Sequence, residues 1–205
     1  MDNGADISSL PQVQIRDGLP ADAPTICALS DETHRLHRAR LPDRFTPKND
    51  YQNWLIARAL SETPPSDSNF NAKLRVAHDD DDMLGYVLLV WDKPKDDQET
   101  VQAVIADIAV VEGARQQGIA QALLGDADAQ RVHNKWHSLT ADVWLDNAPS
   151  HALFQKAGFV AVRSEYILGE PPDLQETPLE LESNSTTWWI IAACAVVGFI
   201  VGMSL

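Results

Sequence analysis

Basic residues are scarce in this chain: 16 Lys and Arg stand against 30 Asp and Glu among 205 residues, a formal net charge of −14 at pH 7. Nucleic-acid binding draws on Lys and Arg neutralising phosphates, so no nucleic-acid partner is expected. The acidity suits cationic partners such as amines or basic peptides, and it suits a well-solvated surface equally. Cysteine is scarcer still: only Cys27 and Cys194 occur, and Cys194 lies in an apolar run. No disulfide framework can be read from them, and a reducing compartment is the simpler inference. The opening Met-Asp-Asn-Gly-Ala-Asp has no basic stretch followed by an apolar one, so no secretory signal is visible. Metal-ligand spacing is also missing. The four carboxylates Asp79 to Asp82 lack the spacing and Gly turn of a calcium loop, and His133 and His137 have no third ligand in view, so no metal is expected.

The chain is organised around the stretch from Val101 to Trp136. Val101 to Val111 is a nearly continuous apolar, β-rich run, the pattern of a strand covered on both faces. Leu123 and Leu124 then begin a helix-period segment ending near Trp136. Between them lies Arg115-Gln116-Gln117-Gly118-Ile119-Ala120. A short turn leading into a helix leaves consecutive N–H groups pointing outward, where partial positive charge collects, and so makes a phosphate cradle.

Around this stretch the remaining elements follow in order. Residues 1–11 are small and polar. Val13 to Arg16 alternates like a first strand, Asp17-Gly18 ends it, and Pro20 opens a helix whose periodicity runs to about His37. Tyr51 to Leu60 is a second amphipathic helix, stopped by Pro64-Pro65. Ala72 to His78 and Leu84 to Trp91 read as two strands joined through a solvated tip at Asp79 to Asp82. Leu139 to Leu145 reads as a strand, Asn147 starts a helix and Gly158 ends it. Phe159 to Tyr166 and Thr177 to Glu182 read as two last strands.

The motif Arg115-x-x-Gly118-x-Ala120 resembles the acyl-CoA diphosphate loop of the GNAT superfamily of N-acetyltransferases. Asn147-Ala-Pro-Ser150-His-Ala-Leu-Phe154-Gln-Lys-Ala-Gly158-Phe159 resembles the second signature of that superfamily, an Asn-capped short helix with an aromatic one turn before its end and Gly-Phe after it. The resemblance implies an α/β (α+β) fold with a mixed central sheet flanked by helices, spanning residues 12–182. It also implies direct transfer of an acetyl group from the cosubstrate acetyl-CoA to an amine, either a small amine or a peptide N-terminus. Family geometry then puts the donor that polarises the thioester near Ala109 and Val110. Backbone amides from Arg115 through Gln116, Gln117, Gly118 and Ile119 to Ala120 hold the diphosphate, and Asn147 matches a contact to the pantetheine arm, although a helix N-cap explains it equally well. His37 and Phe45 match the connection that walls the acceptor site, or they are packing residues, and His37 is a third candidate base.

For the base, Asp142 matches a strand position at which N-terminal acetyltransferases of the superfamily often carry a Glu that relays the amine proton. Asp107 interrupts the apolar run and is either solvated outward or turned inward with a partner. Phe154 stands where relatives usually carry the Tyr that protonates the leaving thiolate, and Phe cannot donate. Ser150, one turn earlier, either positions a water for that task or is a polar first-turn residue.

Trp188 to Leu205 carries no charge. As a helix it would span roughly 27 Å, close to the thickness of a bilayer's hydrocarbon core, with Trp188 and Trp189 at an aromatic belt. A single-pass C-terminal transmembrane anchor in the lipid bilayer is therefore expected, joined by a linker over 183–187, with the catalytic domain in the cytoplasm. Gly198 and Gly202 form a small-residue stripe suited to pairing two anchors in a homodimer. The reading is a membrane-tethered acetyl-CoA-dependent N-acetyltransferase. Its alternatives are a catalytically weak acyl-CoA-binding module or a membrane-anchored interaction scaffold.

Overall fold

The computed structural model describes residues 13–40, 50–61, 69–80, 82–94, 100–145 and 147–164. Phe45, the strand expected at Thr177 to Glu182 and the apolar segment 188–205 lie outside these residues. Five strands form one mixed sheet in sequence order: β1 (Gln14–Asp17), β2 (Phe70–Asp79), β3 (Asp82–Asp92), β4 (Gln102–Val110) and β5 (Ser138–Thr140). The first four pair antiparallel, and β5 pairs parallel to β4. Four helices flank the sheet: α1 (Ala23–Arg40), α2 (Asp50–Ala59), α3 (Ile119–His133) and α4 (Ala148–Lys156). This is the mixed sheet flanked by helices that the sequence led us to expect.

Strand alternation divides the core in two. Tyr86, Leu88 and Val90 of β3 point toward α1 and α2, where they meet Ile26, Leu29, Leu55 and Ile56. Val87 and Leu89 point the other way, onto Leu123, Leu124 and Ala127 of α3 and Phe154 of α4. Each fully buried Leu or Ile contributes about 1.5–3 kcal/mol, so both faces are well anchored. In β4 the alternation changes phase. Ala103 and Ile105 face α3, as do Ile108 and Val110, whereas Ala106 and Ala109 face α1. The register shows the cause: Leu89 pairs with Ile105 and Leu88 with Asp107, leaving Ala106 as the extra residue of a β-bulge. The bulge turns Asp107 onto the α1 face, where it is fully buried and accepts a 2.6 Å hydrogen bond from the Tyr86 hydroxyl. The alternative of an outward, solvated Asp107 is thereby corrected.

Two side-chain clamps fasten helices to the sheet. Asp22, in the 3-10 turn at Pro20–Asp22 that leads into α1, accepts both arms of the Arg16 guanidinium at 2.7 and 2.9 Å and the Leu19 amide at 2.7 Å. Arg75 of β2 forks onto Asp126 of α3 at 2.7 and 2.8 Å and also bonds Asp17 of β1. Bidentate pairs of this kind fix orientation as well as distance.

Two expected strands differ. The one at Leu139 to Leu145 is paired only to Thr140, because β5 leaves β4 there, and residues 159–164 form no strand. Phe159 is half-buried, but Val160 and Val162 are exposed, and no strand among the described residues runs beside them to supply a ladder. The helix expected to end near His37 continues to Arg40.

Arg16 holds the Asp22 carboxyl below the usual carboxylate range, against the opposing effect of burial and with help from the Leu19 amide. A carboxyl depressed in the folded state adds stability that is fully present above its unfolded value, about 4, and is lost as pH falls through the folded value. Asp22→Asn is expected to cost about 1 kcal/mol at neutral pH, since Arg16 is a third exposed, and to flatten the fall in stability below about pH 4. Urea denaturation at a series of pH values checks both; an unchanged acid limb would show that the clamp is not linked to folding.

Candidate active site

The two edges of β4 are used differently. Toward β3 the ladder is complete to the end of the strand, where the Val111 amide donates to the Leu84 carbonyl at 2.9 Å. In an antiparallel pair the residues alternate in which edge they serve, so Ala109 serves β3, as Val111 does, and Val110 presents its N–H and C=O to the opposite edge. Gly85 supports this assignment. It is Val110's register partner, and a Cβ placed there would lie 2.6 Å from the Ala109 carbonyl oxygen and 3.1 Å from Val110 Cα, the close approach of a pair without mutual hydrogen bonds. On the edge toward β5 pairing covers only Gln102 to Val104. Beyond Thr140 the chain runs without regular structure through Asp142, which among the described residues leaves a gap in the pairing at the end of β4. Of the two residues expected to polarise a carbonyl, Val110 therefore aims its amide into the gap and Ala109 does not.

The loop from Val111 begins with a 3-10 turn, Glu112–Ala114, in which the Arg115 amide donates back to the Glu112 carbonyl at 3.2 Å. Arg115 is thus removed from the free donors of the cradle. Gln116 and Gly118 adopt φ values of 63° and 82°, and the first helical bond of α3 runs from Ala122 to the Gly118 carbonyl. The amides from Gln116 to Gln121 consequently make no hydrogen bond among the described residues and gather at the positive end of α3. Gln121 belongs to this set and escaped the sequence reading, although counting the four unpaired amides of a helix start would have found it. The Gln117 side chain closes the loop by donating to the Gly113 carbonyl at 3.0 Å.

Helix α4 brings the second signature alongside. Gln121 Nε2 donates to the Lys156 carbonyl at 3.4 Å, linking the start of α3 to the end of α4. Asn147 caps α4, its Oδ1 accepting from the Ser150 amide at 3.2 Å. Its buried Nδ2 has no hydrogen-bond partner among the described residues and is a spare donor. These donors suit an anionic diphosphate with an amide-bearing arm, which is the fit acetyl-CoA requires. Ser150 is buried in the first turn. The end of α4 is a Schellman motif: Gly158 at φ 91° donates to Gln155, and Phe159 donates to the Phe154 carbonyl at 2.9 Å. The Phe154 and Phe159 rings meet edge to face at 5.1 Å, and Phe154 is 5 % exposed. Phe154 is therefore a packing residue of the α3 face and has no proton to give.

The two candidate bases lie in different settings. Asp142 is two residues past β5, beside the gap, with its side chain 44 % exposed and Arg163 Nη2 at 3.8 Å. It does not stand in the middle of a strand as expected. Asp107 is closed off under α1 by Tyr86. His37 lies on α1, and Phe45 is outside the described residues.

A freed strand edge beside an anion-accepting helix start is the arrangement of an acyl-CoA-dependent transferase. A family model described as the acetyltransferase (GNAT) family matches residues 32–159, and the chain belongs to that family. It is accordingly an acetyltransferase with acetyl-CoA as cosubstrate. Comparison with curated proteins finds no match. Among solved structures, the chain is similar to a tetramutant of the BH1408 protein from Bacillus halodurans, with a TM-score of 0.61 and 16% identity over 76% of this chain and 99% of that one. It is similar to the ribosomal-protein-alanine N-acetyltransferase of Brucella melitensis biovar Abortus 2308, with a TM-score of 0.53 and 18% identity over 77% and 98% of the two chains. Similarity extends to AAC(6')-Iy in complex with a CoA-containing bisubstrate analogue, with a TM-score of 0.55 and 13% identity over 78% and 98%. At these identities the structures attest the fold.

Gly118 tests the cradle. A Cβ there meets nothing within 4 Å, so Gly118→Ala acts through backbone conformation alone. The substitution is expected to cost about 1 kcal/mol of stability and to weaken CoA binding about tenfold by titration calorimetry. Unchanged CoA affinity would remove these amides from the binding site.

Proposed function

We propose that this protein transfers the acetyl group of acetyl-CoA directly to a primary amine, with small amines ahead of peptide N-termini, from a domain tethered to a membrane. The observation that carries the reading is the Val110 amide at the unpaired edge of β4, next to the free amides from Gln116 to Gln121. The loop amides hold the diphosphate, and Asn147 Nδ2 meets the pantetheine arm. The Val110 N–H donates to the thioester oxygen, where negative charge develops as the amine attacks. A fixed donor aimed at developing charge commonly accounts for about 10²–10³ in rate. Asp142 takes the proton of the amine, directly or through one water. It is preferred to Asp107 because it borders the gap and is open to solvent. A thiol pKa near 8.5 makes the thiolate a tolerable leaving group, so water serves as the acid where Phe154 cannot. Net charge favours a cationic acceptor. The aminoglycoside acetyltransferase in complex with sisomicin, similar in fold, supports an amine as acceptor.

An amine and peptide panel with acetyl-CoA, read by release of free thiol, tests this function. In the same assay Asp142→Asn is expected to lower kcat/KM about a hundredfold or more. Unaltered transfer from about pH 6 to pH 9 would exclude Asp142 as base. The buried Phe154 also favours a second reading, a catalytically weak acyl-CoA-binding module, and saturable CoA binding without transfer to any amine would select it.

Tethering rests on the uncharged segment 188–205, with Gly198 and Gly202 as the stripe on which two anchors pair. Among the described residues no helix is long and apolar enough to cross a membrane. A chain ending at Glu182 is expected to leave the membrane fraction and run as a monomer, whereas its retention there would rule out the anchor.

A further inference from the structure

Arg115 heads the loop motif, yet neither its amide nor its guanidinium is available to a phosphate. The amide closes the 3-10 turn on Glu112. The side chain, 3% exposed, folds back beneath the loop, where Nε donates to the Val110 carbonyl at 3.1 Å and Nη2 lies 3.7 Å from Glu32 Oε1 on α1. Burial lowers the guanidinium's pKa, and Glu32 and Glu112 oppose that loss, so the charge is kept where no solvent supports it.

What Arg115 holds is a single peptide plane. Val111 N–H fixes one end of that plane on the Leu84 carbonyl, and Arg115 Nε fixes the other end at the Val110 carbonyl. Gly85 presses on the same residue from the β3 side, with room for no Cβ. Val110 is thereby restrained at the point where β5 has withdrawn its hydrogen bonds. Without Arg115 the Val110 carbonyl would have no hydrogen bond among the described residues, and its peptide plane would be held at one end only, through the Val111 amide.

We propose that Arg115 is a positioning residue for acetyl transfer, acting through Val110 rather than on the diphosphate, and that Glu32 completes the restraint by connecting it to α1. The proposal rests on the reading of Val110 as the thioester's hydrogen-bond donor. It makes the first residue of the loop motif an orienting device for chemistry, with diphosphate binding left to the amides that follow it.

The two roles for Arg115 separate when the acyl donor is shortened. Acetyl-pantetheine keeps the thioester and lacks the diphosphate. For Arg115→Met, a positioning role lowers kcat by a similar factor with acetyl-CoA and with acetyl-pantetheine, about tenfold to a hundredfold, since an ångström of misplacement at a reacting centre can cost that much. The dissociation constant of CoA alone, by calorimetry, then stays within about threefold of wild type. A diphosphate ligand gives the opposite pattern: weaker CoA binding and a raised KM for acetyl-CoA, with acetyl-pantetheine unaffected, and that result overturns the proposal. Glu32→Gln keeps the side chain's volume on an accessible face of α1, so it serves where Arg115→Met does not fold. It is expected to lower kcat a few-fold for both donors equally, and an unchanged kcat would remove Glu32 from the restraint. If the wild-type chain acetylates no amine, the function proposed above fails. The CoA affinities of wild type and Arg115→Met still decide whether Arg115 is a diphosphate ligand.

Discussion

The separation of β5 from β4 after Val104 and Thr140 is the constraint on which the rest of the molecule depends. A β-strand inside a sheet has no spare backbone donors, and one at an open edge invites unwanted pairing. Here the edge is covered for three residues and then opened, so that among the described residues a short row of polar groups is left without a partner strand. Every other feature of the site is arranged around that opening. The bulge at Ala106 brings Ile108 and Val110 onto the α3 face at the right height. The loop then folds so that a helix start lies beside the opening, and α4 is bonded to that start through Gln121 and Lys156.

Opening a ladder leaves polar groups without partners, and the fold offsets this with charged clamps at the perimeter. Asp22 with Arg16, Arg75 with Asp126 and Asp17, and Arg115 with Val110 and Glu32 each join a helix or loop to a strand. Single pairs of this kind at the surface contribute little, but these are partly buried and mostly bidentate, where geometry counts for more than Coulomb energy. Their common effect is orientation. The apolar faces supply the bulk of stability, and the clamps decide where the helix ends sit relative to the gap.

Much of this was legible from residue order. Four strands, four helices and both loop signatures follow from alternation, helical period and the turn residues Gly118 and Gly158, since each is a local property. Three features were not legible, each for a physical reason. The bulge hides in Val104 to Val111 because two adjacent small or apolar residues look alike whichever face they take, and so Asp107's burial under Tyr86 could not be read. The stretch from Ala141 to Leu145 is composed like a strand, but strand formation also needs a neighbour, and the neighbour is lost at Thr140. The inward turn of Arg115 depends on Glu32, 83 positions earlier in the chain. No spacing rule connects residues that meet only in the folded state.

The bond from Arg115 Nε to the Val110 carbonyl closes a ring of fixed circumference between a strand end and a loop. Insertion or deletion of one residue anywhere from Val111 to Ala114 would break that closure and shift the helix start relative to the strand. The tip joining β2 to β3 is tied only locally among the described residues, with His78 Nδ1 3.1 Å from the Asp80 carbonyl oxygen, and extra residues there would lengthen an exposed hairpin. Length variation in descendants of this chain should therefore be crowded out of one short segment and permitted in the other. The spacing from strand end to helix start behaves as a measured distance, transmitted by residue count as much as by residue type.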